Sequence, residues 1–178
     1  MMVTPAELRD QVNLLFIAGH ETTVNLIGTG IYELLRHPEQ AAIWRGDPEL
    51  DATAVDEMLR FVSPVQFSRR ITLDDIDFQG TTIPKGMFVL AGLASSNHDP
   101  KKWGHTAEEL DVRRDGAGQH LSFGSGVHYC LGASLAKLEA AIAIGTFLRR
   151  FPDAAVSGDV EWNGRINLRG LEHLPVTV

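Results

Sequence analysis

Phe123-Gly124-Ser125-Gly126-Val127-His128-Tyr129-Cys130-Leu131-Gly132 is the stretch on which the reading of this chain turns. It holds the single cysteine of the 178 residues, with three glycines around it and a histidine two residues before the sulfur. Glycine serves where backbone takes a positive φ or passes close to another group. A glycine-rich turn that aims its N–H groups at one sulfur stabilises a thiolate and leaves space above it for a large flat cofactor. A helix is expected directly after Cys130, and its positive end also favours the thiolate. Two alternatives stay open. A lone cysteine is commonly an inert buried thiol. A Cys130/His128 nucleophile pair is conceivable, since residues two apart in extended backbone point the same way. That pair lacks an orienting Asn or Asp nearby and leaves the glycines unexplained.

Working outward, a capping box at Thr4-Pro5-Ala6-Glu7 opens a helix that runs to Arg36, where His37-Pro38 stops it. Apolar residues recur along it at Leu8, Val12, Leu15, Phe16, Leu26, Ile27, Ile31, Leu34 and Leu35. Gly19, Thr22 and Thr23 interrupt its middle, where a bend or a widened turn is expected. Shorter helices are expected over 38–44 and 51–61, with strands over 65–73, 76–79 and 87–90. Residues 98–122 read as a long polar loop of the kind that serves function or wraps something. The helix after Cys130 should reach Arg150, with Leu131, Leu135, Leu138, Ile142 and Phe147 on its buried side. Weak strands are expected over 154–156, 166–168 and 174–178.

The composition sets bounds. A hydrophobic content of 44% suits one soluble globular domain over residues 1–178. The net charge of −7 argues against nucleic-acid binding. One cysteine allows no internal disulfide, which is compatible with a reducing cytoplasm. The N-terminus lacks the basic-then-apolar pattern of a signal peptide. The apolar stretch 140–148 is broken by Gly145 and Thr146 and is too short for a membrane span.

Three further constellations carry chemistry. Ala18-Gly19-His20-Glu21-Thr22-Thr23 lies in mid-helix. Gly19 removes a side chain where a ligand could approach, Thr22 offers a hydroxyl, and Glu21 could relay protons. The plainer alternative is a helix kinked by threonine back-bonding. His20-Glu21 does not extend to a zinc-protease motif, because position 24 is valine. Glu57-Met58-Leu59-Arg60 gives an i, i+3 pair among apolar neighbours, either a surface salt bridge or a partly buried structural clamp. Ser68-Arg69-Arg70 ends an expected strand. It is either a solvated charge pair or an anion clamp, since guanidinium groups grip carboxylates bidentately.

Together and in this order, these pieces resemble the cytochrome P450 family, the haem-thiolate monooxygenases. The cysteine loop matches the family pattern FGxGxHxCxG, residues 18–23 match AGx[DE]TT, and Glu57–Arg60 matches ExxR. Residues 55–66 and 131–139 are similar to bacterial members. The resemblance implies a mainly α fold with small β-sheets, of which this chain is the C-terminal portion and the N-terminal half is missing.

It also implies roles. Cys130 is the iron ligand of haem b, with Phe123 beside the sulfur. Gly124, Gly126 and Gly132 shape the loop, and His128 and Arg70 hold the propionates. Gly19 keeps an oxygen groove open, and Glu21 and Thr22 deliver protons to dioxygen. Glu57 and Arg60 form the clamp. Val65, Gln66, Phe67, Ser68 and Leu171 line the pocket for a small hydrophobic substrate. Where bacterial members place a third, arginine member of the clamp, this chain has Glu109, and Arg113 and Arg114 are the candidate substitutes. A ferredoxin-type or flavoprotein electron donor is implied, with Lys101, Lys102, Arg113, Arg114 and Lys137 as candidate docking charges. Two other functional readings stand beside the enzyme: a truncated, non-catalytic and poorly soluble fragment, and a haem-binding or gas-sensing module.

Overall fold

The computed structural model describes residues 3–178. Helix α1 (Pro5–Arg36) starts where the capping box predicts. The Glu7 N–H donates to Thr4 Oγ1, the Thr4 N–H donates to Glu7 Oε2 at 2.8 Å, and proline occupies the first turn. His37 ends it, donating its N–H to the Leu34 carbonyl ahead of Pro38. The 32 residues of α1 span roughly 48 Å. Gly19, Thr22 and Thr23 do not break or widen it. The assignment stays α throughout, with Thr22 Oγ1 donating to the Ala18 carbonyl at 2.8 Å.

Helices α2 (Pro38–Gly46), α3 (Asp51–Val62) and α6 (Ala133–Arg150) pack against the C-terminal half of α1. The core between them is Leu26, Leu34, Trp44, Ala54, Val55, Met58, Leu59, Ala140, Ile144 and Leu148. Gly30 makes the close approach possible, because a Cβ there would lie 3.0 Å from Ile144 Cδ1 and 3.6 Å from Met58 Sδ. Trp44 is fully buried and donates its indole N–H to Asp51 Oδ1 at 2.7 Å.

Among the described residues, four antiparallel two-stranded sheets accompany this bundle: β1 (Phe67–Ile71) with β4 (Phe88–Gly92), β2 (Ile76–Phe78) with β3 (Thr81–Ile83), β5 (Ala155–Val156) with β8 (Val176–Thr177), and β6 (Glu161–Trp162) with β7 (Leu171–His173). The expected strand over 166–168 does not form; its one pairing is a bridge between Leu168 and Val65. The polar stretch 98–122 is more ordered than a loop. After the short helix α4 (Leu93–Asn97) it contains α5 (Pro100–Trp103) and tight turns at Gly104–Thr106 and Ala117–Gln119. It also buries Ala107, Leu110, Val112 and Ala117.

The expected burial of α6 holds only at Phe147, which is half-buried against the core. Ala133, Ala140, Ile144, Gly145 and Leu148 face the core, whereas Leu131, Leu135, Leu138 and Ile142 are exposed. Both faces are apolar, so periodicity alone could not choose between them. The N-terminal half of α1 is likewise bare: Leu8, Val12 and the run Leu14–Ile17 are exposed, Phe16 to 70%. No described helix is long and apolar enough to cross a membrane.

Candidate active site

The Glu57–Arg60 pair lies at the centre of the fold, both side chains wholly buried. Arg60 Nε donates to Glu57 Oε2 at 2.7 Å and Nη2 to Oε1 at 2.8 Å. Nη1 reaches the carbonyls of Asn97 and Ala107, and Nη2 also reaches that of Glu109. All five guanidinium N–H donors therefore have acceptors, as a buried arginine requires. Arg114 is the third member. Its Nε lies 3.1 and 3.2 Å from the two Glu57 oxygens, and its Nη groups bond Thr106 and the Glu109 carbonyl. Glu109 takes part through its backbone oxygen, and Arg113 is exposed. The buried clamp ties α3 to residues 97–114, whose end leads into the cysteine loop.

In that loop, Gly124 and Gly126 both have φ of +69°, the region L side chains avoid, whereas Gly132 has an ordinary φ of −89°. Residues 126–128 form a tight helical turn rather than extended backbone, which removes the premise of a Cys130/His128 pair. The Cys130 N–H donates to the Phe123 carbonyl at 3.0 Å, closing the loop on itself. Cys130 is free and exposed, three residues before α6 begins, so it is not an inert buried thiol. The Phe123 ring packs between His120 and Tyr129, at centroid distances of 5.5 and 6.1 Å. His128 is exposed, as are Val127 at 97% and Leu131 at 90%.

On α1, Gly19 is exposed with nothing within 4 Å of where a Cβ would stand. The Glu21 carboxylate is ion-paired with Arg165, a partner the sequence reading did not name. On β1, alternate residues share a face, and Arg70 Nη1 donates to Ser68 Oγ at 2.6 Å and to the Arg69 carbonyl. Val65 is bridged to Leu168, and the Gln66 N–H donates to the Asn167 carbonyl, which brings this segment beside the turn preceding Leu171. The Gln66 side chain is turned away, donating to the Ser63 carbonyl at 2.6 Å. It lines a cavity of about 670 Å³ with Thr29, Phe61, His98 and Trp162; Val65, Phe67, Ser68 and Leu171 are not among that cavity's walls.

Comparison with known proteins decides the family. The Cytochrome P450 family model matches residues 49–163, more than half of the chain. The chain belongs to the cytochrome P450 family. Over 178 residues it is 44% identical to cytochrome P450 monooxygenase PikC of Streptomyces venezuelae, covering 98% of this chain and 42% of that one. Over 177 residues it is 46% identical to the biotin biosynthesis cytochrome P450 of Bacillus subtilis, covering 98% and 44%. The GfsF crystal structure superposes with a TM-score of 0.94 at 37% identity, over 99% of this chain and 46% of that one. The chain thus spans less than half the length of the P450 relatives it matches.

The P450 family implies a haem-thiolate cofactor, and the residues present suit one. A haem needs a thiolate donor, apolar surface and cations for its carboxylates. Here an exposed thiol stands beside exposed Val127 and Leu131, and His128 and Arg70 are exposed cationic or hydrogen-bonding groups.

Several supporting residues escaped the sequence reading. Buried Asn97 bonds Ser63, Ser122 and the Leu121 N–H, pinning the residues just ahead of Phe123. His120 and Asp56 lie beside them. These residues belong to no motif and are far apart in sequence; only the buried polar pattern after folding reveals them. Of the candidate docking charges, Arg114 is spent in the clamp, and Lys137 is ion-paired with Asp56 at 2.6 Å.

Proposed function

We propose that this chain carries the thiolate-ligand and proton-delivery portion of a monooxygenase that inserts one atom of dioxygen into a small hydrophobic organic molecule. The observation that carries this reading is Cys130, an exposed thiol next to a helix start in a turn shaped by two positive-φ glycines. Haem b, when bound, supplies the reductive activation of dioxygen and the transfer of one oxygen atom. Cys130 ligates its iron and donates electron density to it. Phe123 shields the sulfur, and Gly124, Gly126 and Gly132 keep the loop free of side chains that would block the ring.

His128 and Arg70 bind the propionates. Arg70 uses Nη1 within its own strand. Its Nε and Nη2 then form the fork a carboxylate accepts. Gly19 keeps α1 open to dioxygen. Glu21, ion-paired with Arg165, accepts a proton from solvent and hands it toward Thr22. Thr22 turns its hydroxyl from the Ala18 carbonyl to pass a proton on. Val65, Phe67, Ser68 and Leu171 contact substrate, and Gln66 shapes the same segment through its backbone. A ferredoxin-type or flavoprotein donor in the cytoplasm supplies electrons. The hydrophobic substrate class is supported by relatives: P450BioI was solved with hexadec-9Z-enoic acid ligated acyl carrier protein, and CYP109E1 with corticosterone.

The test is reconstitution with haem, reduction and carbon monoxide. Wild type is expected to give the long-wavelength Soret band of thiolate ligation, and Cys130→Ser to lose it. An identical spectrum in the variant refutes the assignment of Cys130.

The bare apolar faces of α1 and α6 favour a second reading, in which the 178 residues alone bind haem weakly and turn over nothing. Cooperative unfolding of the isolated chain with one tightly held haem would contradict it.

A further inference from the structure

Against Phe123, at the start of the cysteine loop, lies a cluster of His120, Asp56 and Lys137 that the proposed function does not use. The His120 side chain is 2% exposed. Its Nδ1 accepts the Ser122 N–H at 3.1 Å, which leaves the ring N–H on Nε2. Nε2 faces Asp56 Oδ1 at 3.5 Å, an electrostatic contact rather than a short hydrogen bond. Lys137 Nζ of α6 reaches the same oxygen at 2.6 Å. The 117–119 turn closes over the carboxylate from the far side, and a Cβ on Gly118 would lie 3.0 Å from Asp56 Oδ2.

Asp56 therefore ties together three elements: its own α3, the turn before the loop, and the helix after it. The group faces Phe123 from two directions. The His120 ring packs on Phe123 at 5.5 Å, and Lys137 Nζ stands 6.0 Å from the same ring. Phe123 is also the residue whose carbonyl accepts the Cys130 N–H.

The geometry points to His120, held by Asp56, as a positioning residue for Cys130: it fixes the ring and carbonyl of Phe123 and thereby the direction of the thiol. The inference rests on the reading of Cys130 as the iron ligand, but its first test does not. Groups outside the ligand shell commonly orient a metal ligand through hydrogen bonds and packing. Here the link runs through an aromatic ring and one backbone hydrogen bond.

The experiment is amide hydrogen exchange in the full 178-residue chain, comparing wild type with His120→Phe and Asp56→Asn. His120→Phe keeps a ring against Phe123 and removes both nitrogen contacts. Asp56→Asn keeps the shape and removes the charge. Exchange at the Cys130 N–H is expected to quicken roughly three- to tenfold in both, the scale of one lost net hydrogen bond. Amides in the middle of α3 and α6 should be unchanged. A second arm uses the haem-loaded chain, where both variants should show a smaller thiolate-ligated fraction in the ferrous–carbonyl spectrum. Unchanged Cys130 exchange in Asp56→Asn overturns the proposal. So does equal acceleration at Cys130 and throughout the core, which is the mark of a merely structural role. Faster exchange together with a tightly bound haem that lacks the thiolate band in wild type leaves the positioning intact and refutes the haem-ligand reading instead.

Discussion

Replacing Glu57 by glutamine changes one heavy atom and should cost a large share of the stability of this core. The two Glu57 oxygens serve only donors. Oε1 accepts from Arg60 Nη2, Arg114 Nε and the Asp111 N–H; Oε2 accepts from Arg60 Nε and Arg114 Nε. A glutamine NH₂ group placed on either side would meet two or three N–H groups, so flipping the amide rescues nothing. The single negative charge is also lost between two buried guanidinium groups, leaving them to repel each other without a counter-ion.

Removing one partner from a buried ion pair costs about 3–5 kcal/mol, against a whole-domain margin of about 5–15 kcal/mol. For a chain of this size that is a fall in Tm of roughly 6–20 °C. Urea titration followed by circular dichroism would measure it. The double-mutant cycle with Arg114→Met sharpens the test. In the parent, Arg114→Met should cost about 2–3 kcal/mol, because it strips bonds from Glu57, Thr106 and Glu109. In the Glu57→Gln background it should cost less than about 1 kcal/mol, since it also removes a repelling cation. A Glu57→Gln variant within about 1 kcal/mol of the parent would refute this reasoning. Equal costs of Arg114→Met in both backgrounds would do the same.

Other outcomes follow from single positions. Gly124→Ala, at a φ of +69°, should destabilise the haem-free chain by about 1–2 kcal/mol, while Gly132→Ala, at −89° with open space around it, should be neutral or slightly stabilising; denaturant midpoints compare them. Burial pushes the Asp56 carboxyl up, but His120 and Lys137 outweigh it and hold it below its ordinary value of 3.8. The folded form thus prefers the charged carboxylate, so this contribution is complete above that value and is lost as pH falls through the lower folded one. Asp56→Asn should flatten the acid limb of a stability–pH curve, and an unaltered limb would count against the pairing. Thr22→Ala removes only a helix back-bond and should shift stability by less than about 0.5 kcal/mol. In a functioning monooxygenase it should lower product formed per dioxygen consumed, and unchanged coupling would remove Thr22 from proton delivery.

Much of the architecture was legible because its signals are local. A capping box, a proline after His37 and a glycine-rich turn before a helix each act within a few residues, so α1, α3, the cysteine loop and α6 fall where the sequence places them. The short elements were less legible. β3, β6 and α4 carry too few residues for periodicity to show, and 166–168 is apolar enough to suggest a strand yet finds only one partner.

By itself the sequence determined the family, the helical framework and the residues around Cys130. The motif spacing is covalent, and a turn of this kind needs glycine at 124 and 126 whatever surrounds it. Tertiary structure decided three other matters. It chose Arg114 over its neighbour Arg113 as the third arm of the clamp, because only one of two adjacent arginines can point into the core. It chose which of two apolar faces of α6 is buried, because that depends on where α1 and α3 lie and not on the helix itself. And it brought Asp56, His120 and Lys137 together beside Phe123, because a half-buried carboxylate needs a cation and N–H donors that only folding brings within reach.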